Sequence, residues 1–262
     1  MRRFFPDIFH GTKRLLLLNI SYPRQRIKIK TYIFIPLILP DVSLNLRTGK
    51  PDHHPIEKRQ LKMDIKCSGV ILAGGENKRF LGKNKALCLI EGKRIIDRIY
   101  SVFRSIFDEI ILVTNAPELY PDMDAFIVTD IYPKRSSMTG IHSGLFYASN
   151  PYVFCSACDT PFLKKEVVQC VLSHIRPHFD LILPETSAGL EPLCAVYARN
   201  CIGLLEQNIL ADRFKIQRAF NEKRILKIPE SVIRQHDPDL SSFFNVNCRE
   251  DLSAAWEMAV HG

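Results

Sequence analysis

No apolar run in the 262-residue chain approaches the roughly 18 residues that a bilayer-crossing helix needs, so no membrane partner is expected. No cysteine precedes Cys67, and all eight lie from there onward. The short apolar runs at 15–18 and 32–39 are followed by no small-residue cleavage site, so reduced thiols in a cytoplasmic protein are expected rather than a secreted disulfide framework. Excess charge is missing from most of the chain. Residues 1–62 hold 13 Lys/Arg against 4 Asp/Glu, a net +9, whereas residues 63–262 hold 23 against 24, a net −1. The overall +8 therefore describes a tail and not a nucleic-acid-binding face. Disorder throughout is excluded by an apolar content of 46%, enough for a sizeable core.

The first 62 residues have no sustained period and are cut by Pro23, Pro36 and Pro40. His53 and His54 have no cysteine or carboxylate cluster nearby, so no metal site is expected there. Met63 stands just before an obvious buried strand. The expectation is that 1–62 is a flexible or non-native extension and that 63–262 is one folded domain.

From residue 68 onward, short apolar runs alternate with segments of helical period. Strands are predicted at 68–73, 109–114, 125–128, 152–157, 180–183, 192–197, 224–228 and 243–246. Helices are predicted at 94–107, 140–149, 164–175, 199–207, 214–220 and 249–259. Continuous apolar strands alternating with amphipathic helices predict an α/β fold: a Rossmann-like three-layer sandwich, its mostly parallel sheet covered by helices on both faces. Ligands in such sheets bind at the carboxyl ends of strands.

Three strand ends carry candidate chemistry. The first run closes on Leu72, Ala73, Gly74 and Gly75, then supplies Lys78, Arg79, Lys83 and Lys85. Glycines allow backbone N–H groups to approach phosphate, and the cations match a triphosphate. The spacing is not that of a Walker loop. The run 152–157 ends on Asp159, followed by Thr160 and Pro161. A carboxylate there suits Mg2+, which takes one or two protein carboxylates plus substrate phosphates; capping a following helix is the competing role. Asn245 and Asn247, two apart near the end of the chain, offer amides to a heterocycle or ribose, or Asn247 caps the last helix. Cys155 and Cys158 form a lone C-x-x-C whose sulfurs should point to opposite faces, against a metal or redox role.

Taken as a set, these motifs resemble those of the molybdenum cofactor guanylyltransferases, within the larger nucleotidyltransferase family, over about residues 67–260. The similar segments are Leu72 to Gly75 with Arg79, Gly82 and Lys85; Asn115; Asp130; Asp159; Glu191 to Tyr197; and Phe244 to Asn247. The resemblance implies transfer of GMP from GTP to molybdopterin carrying molybdenum, with release of pyrophosphate and Mg2+ as cofactor. It implies catalytic roles for Arg79, Lys85 and Asp159, with Asp159 as the metal ligand. It implies a nucleotide site of Leu72, Ala73, Gly74, Gly75, Lys85, Asn115, Asp130 and Asp159, and an acceptor site of Glu191, Pro192, Asn245 and Asn247. Partners so implied are GTP, molybdopterin, molybdopterin-synthesis proteins and recipient molybdoenzymes. Rival readings are a molybdopterin cytidylyltransferase, a sugar-phosphate nucleotidyltransferase and a non-catalytic nucleotide-binding adaptor. The chain departs from the pattern at Asn84, where aspartate is common, and at Ser137 to Gly140.

Overall fold

The strand β1 (Cys67–Leu72) is the spine of the molecule. It pairs in parallel with β4 (Ile110–Val113) on one side and with β6 (Tyr152–Ala157) on the other. The computed structural model describes residues 66–74 and 84–261. The 1–62 extension, His53, His54, Gly75, Lys78, Arg79, Gly82 and Lys83 lie outside them.

The main sheet adds β5 (Phe126–Val128) beyond β4, and β9 (Cys194–Ala198), β7 (Leu181–Thr186) and β10 (Ile225–Pro229) beyond β6. Its order is β10-β7-β9-β6-β1-β4-β5, with the short β8 (Gly189–Leu190) paired to β7. The pairs β1–β4, β1–β6, β4–β5 and β7–β10 are parallel, while β9 runs antiparallel to both β6 and β7. The mostly parallel sheet is thus as expected, but β9 and the short β8 are reversed, which periodicity cannot reveal. A small hairpin of β2 (Leu89–Ile90) and β3 (Lys93–Arg94), turning through Glu91 and Gly92 at φ 49° and 74°, lies apart from it.

Helices cover both faces. One layer holds α1 (Ile95–Arg104), α3 (Lys165–Ser173), α6 (Glu230–Ile233) and α7 (Arg249–His261); the other holds α2 (Ser137–Tyr147), α4 (Ile202–Leu210) and α5 (Ile216–Ala219). The strands alternate between the two layers. Ile71, Leu112, Phe154 and Val196 face the first, and Val70, Ile111, Cys155 and Ala195 face the second. Since both sides of the central strands meet a helix, their runs read as continuously apolar.

Two predicted elements change. The helix expected at 140–149 starts earlier, at Ser137, because Ser136 Oγ accepts the Thr139 N–H at 3.1 Å and caps a first turn in which Met138 alone is apolar. The strand expected at 243–246 does not form. A 3-10 turn covers Ser241–Phe243, and the next residues make no ladder. Phe243 and Phe244 are adjacent in sequence yet both pack on the same core, which an alternating strand forbids.

β1 is squeezed from both faces. A Cβ on Gly69 would stand 2.6 Å from ring atoms of both Phe103 and Phe107, and one on Gly144 of α2 would stand 2.7 Å from Val70. Phe103, Phe107 and Phe154 form a ring cluster with centroids 5.1–5.9 Å apart. Gly69→Ala is expected to lower stability by about 1–3 kcal/mol through overpacking. This outweighs the roughly 0.5–1 kcal/mol that alanine regains in backbone entropy. Urea unfolding midpoints of the two proteins measure it.

Candidate active site

The carboxyl ends of β1, β4, β5 and β6 share one edge of the sheet, and each is followed by a predicted site residue. Pairing continues just past the strands: Ala73 N–H donates to Val113 O at 2.8 Å, Thr114 N–H to Val128 O at 2.9 Å, and Cys158 N–H to Leu72 O at 3.1 Å. Gly74, Asn115, Asp130 and Asp159 are therefore held by a lattice of main-chain bonds.

Asp159, just after β6, meets Lys85 in an ion pair, with the two side chains only 13% and 18% exposed. Lys85 opens a 3-10 turn, Lys85–Leu87, and its ammonium also donates to Asn247 Oδ1 at 3.2 Å. Residues distant in sequence thus converge on one carboxylate. The main chain reinforces this, since Val246 N–H donates to Asp159 O at 2.9 Å. Asp159 does not cap a helix: α3 begins at Lys165 after Lys164, with no side-chain cap. Its second oxygen, Oδ1, is buried and has no hydrogen-bond partner among the described residues. A buried carboxylate oxygen in that state is a hard donor ready for a cation, so the residues fit a divalent metal bound together with substrate oxygens.

Asn115 and Asp130, at the ends of β4 and β5, bond to each other. Asn115 Nδ2 donates to Asp130 Oδ2 at 2.7 Å, and Asp130 N–H donates to Asn115 Oδ1 at 3.3 Å. Burial pushes the Asp130 carboxyl above its ordinary value, with the Asn115 amide opposing. A Cβ on Gly74 would lie 3.7 Å from Asp130 Oδ2 and 3.8 Å from Asn115 Nδ2, so glycine leaves the space before this pair open. Leu72 lies inside β1 with its side chain against Gly140 of α2, so it underpins the loop rather than entering the site. Ala73 is buried and its carbonyl accepts the Thr114 hydroxyl at 3.3 Å. Gly75 and Arg79 fall outside the described residues.

The predicted acceptor residues are found in two places. Asn247 joins Lys85, whereas Glu191, Pro192 and Asn245 line a cavity of about 110 Å³ with Ser156, Thr160 and Ser242. Glu191 and Pro192 precede β9 in sequence. Because β9 is reversed, they arrive at the same sheet edge as residues that follow the parallel strands. Burial raises the Glu191 carboxyl above its ordinary value, against a 3.1 Å bond from the Thr186 hydroxyl. Cys155 and Cys158 face opposite layers as expected, and burial pushes both thiols up, Cys158 to about 12. No group of three or more His, Cys, Asp or Glu able to hold a metal occurs among the described residues.

Comparison with known proteins supplies the family. Residues 69–227 match the MobA-like NTP transferase domain. A molybdenum cofactor guanylyltransferase from Desulfosudis oleivorans is 43% identical over 188 residues, 72% of this chain and 93% of that protein. The chain belongs to the MobA-like NTP transferase family. A probable molybdenum cofactor guanylyltransferase from Natranaerobius thermophilus is 39% identical over 198 residues, 74% of this chain and 96% of that protein. Among solved structures, molybdopterin-guanine dinucleotide biosynthesis protein A from Archaeoglobus fulgidus superposes with a TM-score of 0.67 at 26% identity, covering 74% of this chain and 100% of that one.

This MobA-like domain also contains a support that the sequence does not announce. Asp237, 0% exposed, accepts from the Lys164 ammonium at 2.6 Å, the Ser242 N–H at 2.8 Å and the Ser241 hydroxyl at 3.1 Å. Ser242 Oγ in turn accepts the Lys164 N–H at 3.0 Å. The loop that ends in Asn245 and Asn247 is thereby fastened to the start of α3. Burial alone would raise the Asp237 carboxyl, but the Lys164 ammonium and the Ser242 N–H outweigh it and hold it below its ordinary value. A carboxyl depressed in the folded state stabilises above its unfolded pKa of roughly 4, and that contribution is lost as pH falls through the folded value. Asp237→Asn is expected to cost about 1–3 kcal/mol at pH 7, the scale of hydrogen bonds to a charged group. Denaturant titrations at pH 7 and pH 3 should show the gap between the two proteins narrowing in acid.

Proposed function

We propose that this protein transfers GMP from GTP to the terminal phosphate of molybdopterin carrying molybdenum, releasing pyrophosphate. The observation that carries this reading is Asp159: fixed at the end of β6, held by Lys85, with one buried oxygen left unpartnered. It stands on the same sheet edge as the Asn115–Asp130 pair. The names of the family relatives, guanylyltransferases of the molybdenum cofactor, support the substrate assignment.

The chemistry asks little of the side chains. An oxygen of the acceptor phosphate, already ionised, attacks the α-phosphorus of GTP. A new P–O bond forms as the bond to the β-phosphate breaks, and pyrophosphate departs with the electron pair. No protein nucleophile is needed, so catalysis consists of positioning and charge stabilisation. Lys85 and Arg79 supply positive charge to the triphosphate and to the pyrophosphate that leaves. Asp159 is the residue that would hold Mg2+, which when bound neutralises charge between nucleotide oxygens. Leu72, Ala73, Gly74 and Gly75 are the segment proposed to bind the nucleotide, chiefly through main-chain groups. Asn115 and Asp130 receive its guanosine, where the carboxylate accepts from guanine or ribose donors and the amide serves either role. The open space at Gly74 suits a purine. Glu191, Pro192, Asn245 and Asn247 form the acceptor side.

This reading places the activity in 63–262 and the protein in the cytoplasm. No helix among the described residues is long and apolar enough to cross a membrane. Molybdopterin-synthesis proteins and recipient molybdoenzymes are the proposed protein partners.

Two measurements test the proposal. Pyrophosphate release with molybdopterin as acceptor should favour GTP over CTP and ATP by at least about tenfold. Each polar group of the site left unpaired by the wrong base costs roughly 1–3 kcal/mol. Equal release from GTP and CTP would defeat the guanylyl assignment and leave nucleotidyl transfer standing. Asp159→Asn should lower turnover by on the order of 100-fold or more at saturating Mg2+, while GTP affinity changes much less, because the amide keeps the shape but not the charge that holds the cation. Unchanged turnover would remove Asp159 from the reaction.

A further inference from the structure

We propose that Asn84 and Tyr120 form a positioning pair that aims Lys85 at Asp159 and couples its turn to the loop carrying Asn115. The kinetic consequence rests on the transfer reading above, whereas the geometry stands by itself.

Asn84 is bonded at three atoms. Its Oδ1 accepts the Ala86 N–H at 3.1 Å and caps the turn Lys85–Leu87. Its main-chain carbonyl accepts the Leu87 N–H at 3.1 Å. Its Nδ2 donates to the Tyr120 hydroxyl at 2.8 Å, across 36 residues of sequence. Tyr120 is 1% exposed and closes the 3-10 turn Pro117–Leu119, with its own N–H donating to Pro117 O at 3.1 Å. That turn follows Asn115 directly after β4. One amide therefore bolts the turn that begins with Lys85 to the loop that begins with Asn115.

Lysine has a flexible four-carbon stem, so its ammonium meets a carboxylate reproducibly only if its main chain is fixed. Ala86, next to Lys85, is fully buried and gives the turn a second anchor. The amide is suited to this joint because one end accepts and the other donates. Burial pushes the Tyr120 hydroxyl up to about 12, so it keeps its proton at neutral pH. Aspartate at 84 would still cap the turn and would accept that proton, reversing the bond. Alanine would do neither. Asn84 touches no reacting atom in this arrangement and acts only through Lys85.

The test uses the full chain with Asn84→Ala, Asn84→Asp, Tyr120→Phe and the Ala/Phe double variant. Acetylation of Lys85 by acetic anhydride in the free protein, read by peptide mass spectrometry against the exposed Lys93, reports the ion pair without any turnover. Asn84→Ala and Tyr120→Phe should each speed Lys85 acetylation several-fold, with Asn84→Asp near the parent protein. Equal rates in all variants would overturn the proposal. In the transfer assay, Asn84→Ala should lower kcat about tenfold with KM for GTP within about threefold, and the double variant should be little worse than Asn84→Ala, as members of one unit are not additive. Additive losses, or failure of Asn84→Asp to restore kcat, would overturn the pairing. Should Asn84→Ala not fold, as judged by circular dichroism, Tyr120→Phe carries the same two readouts. A parent protein without GTP turnover would refute the functional reading, and the acetylation rates would still decide the positioning role.

Discussion

The parallel register of β1 with β4 and β6 is the constraint on which the rest of the site depends. It brings the ends of strands separated by tens of residues to one edge. Main-chain bonds then extend the ladder one step beyond the strands, from Ala73 to Val113 and from Cys158 to Leu72. The side chains that follow, Asn115 and Asp159 among them, leave a scaffold with little freedom to shift. Close packing enforces the register, since Gly69 lies against two phenylalanine rings and Gly144 against Val70, so β1 is gripped from both sides.

Upon that scaffold the charged groups are paired before any substrate arrives. Lys85 bonds to Asp159 and Asn247, Asn115 to Asp130, and Lys164 to Asp237. Each pair bridges two elements. The exception within these pairs is Asp159 Oδ1, a buried acceptor with no partner among the described residues. Preorganised dipoles and charges need little rearrangement when charge develops, which is how an enzyme gains most from electrostatics.

Much of this was legible from residues alone, for definable reasons. The observed bounds of β6 are readable because the apolar and small residues of the run give way within two positions to Asp159, with Pro161 soon after. Asn115 and Asp130 stand out only through the family resemblance, and no spacing between them announces their mutual bond. The direction of β9 was hidden because alternation has no sign: a reversed strand reads the same as a parallel one. The run 243–246 reads as a strand by its apolar content, but the adjacent Phe243 and Phe244 share one core. The pairs Asn84–Tyr120 and Lys164–Asp237 join ordinary polar residues far apart in sequence, and no spacing rule connects them. Resemblance even marked Asn84 as a departure, whereas in the fold its amide makes a bond to Tyr120 that a carboxylate could make only by reversing it.

The reversed β9 divides the sheet's working edge into two constituencies. From β6 to β5, loops leave at strand ends; at β9, the chain arrives at a strand beginning, so Glu191 and Pro192 come from a hairpin and not from a crossover. A hairpin can be lengthened, shortened or recomposed without rerouting any helix. The half of the edge proposed for the nucleotide is therefore architecturally conservative, while the half proposed for the acceptor is modular. Exchanging the segment between β7 and β9 is accordingly the most economical way to redirect this scaffold towards another phosphorylated acceptor.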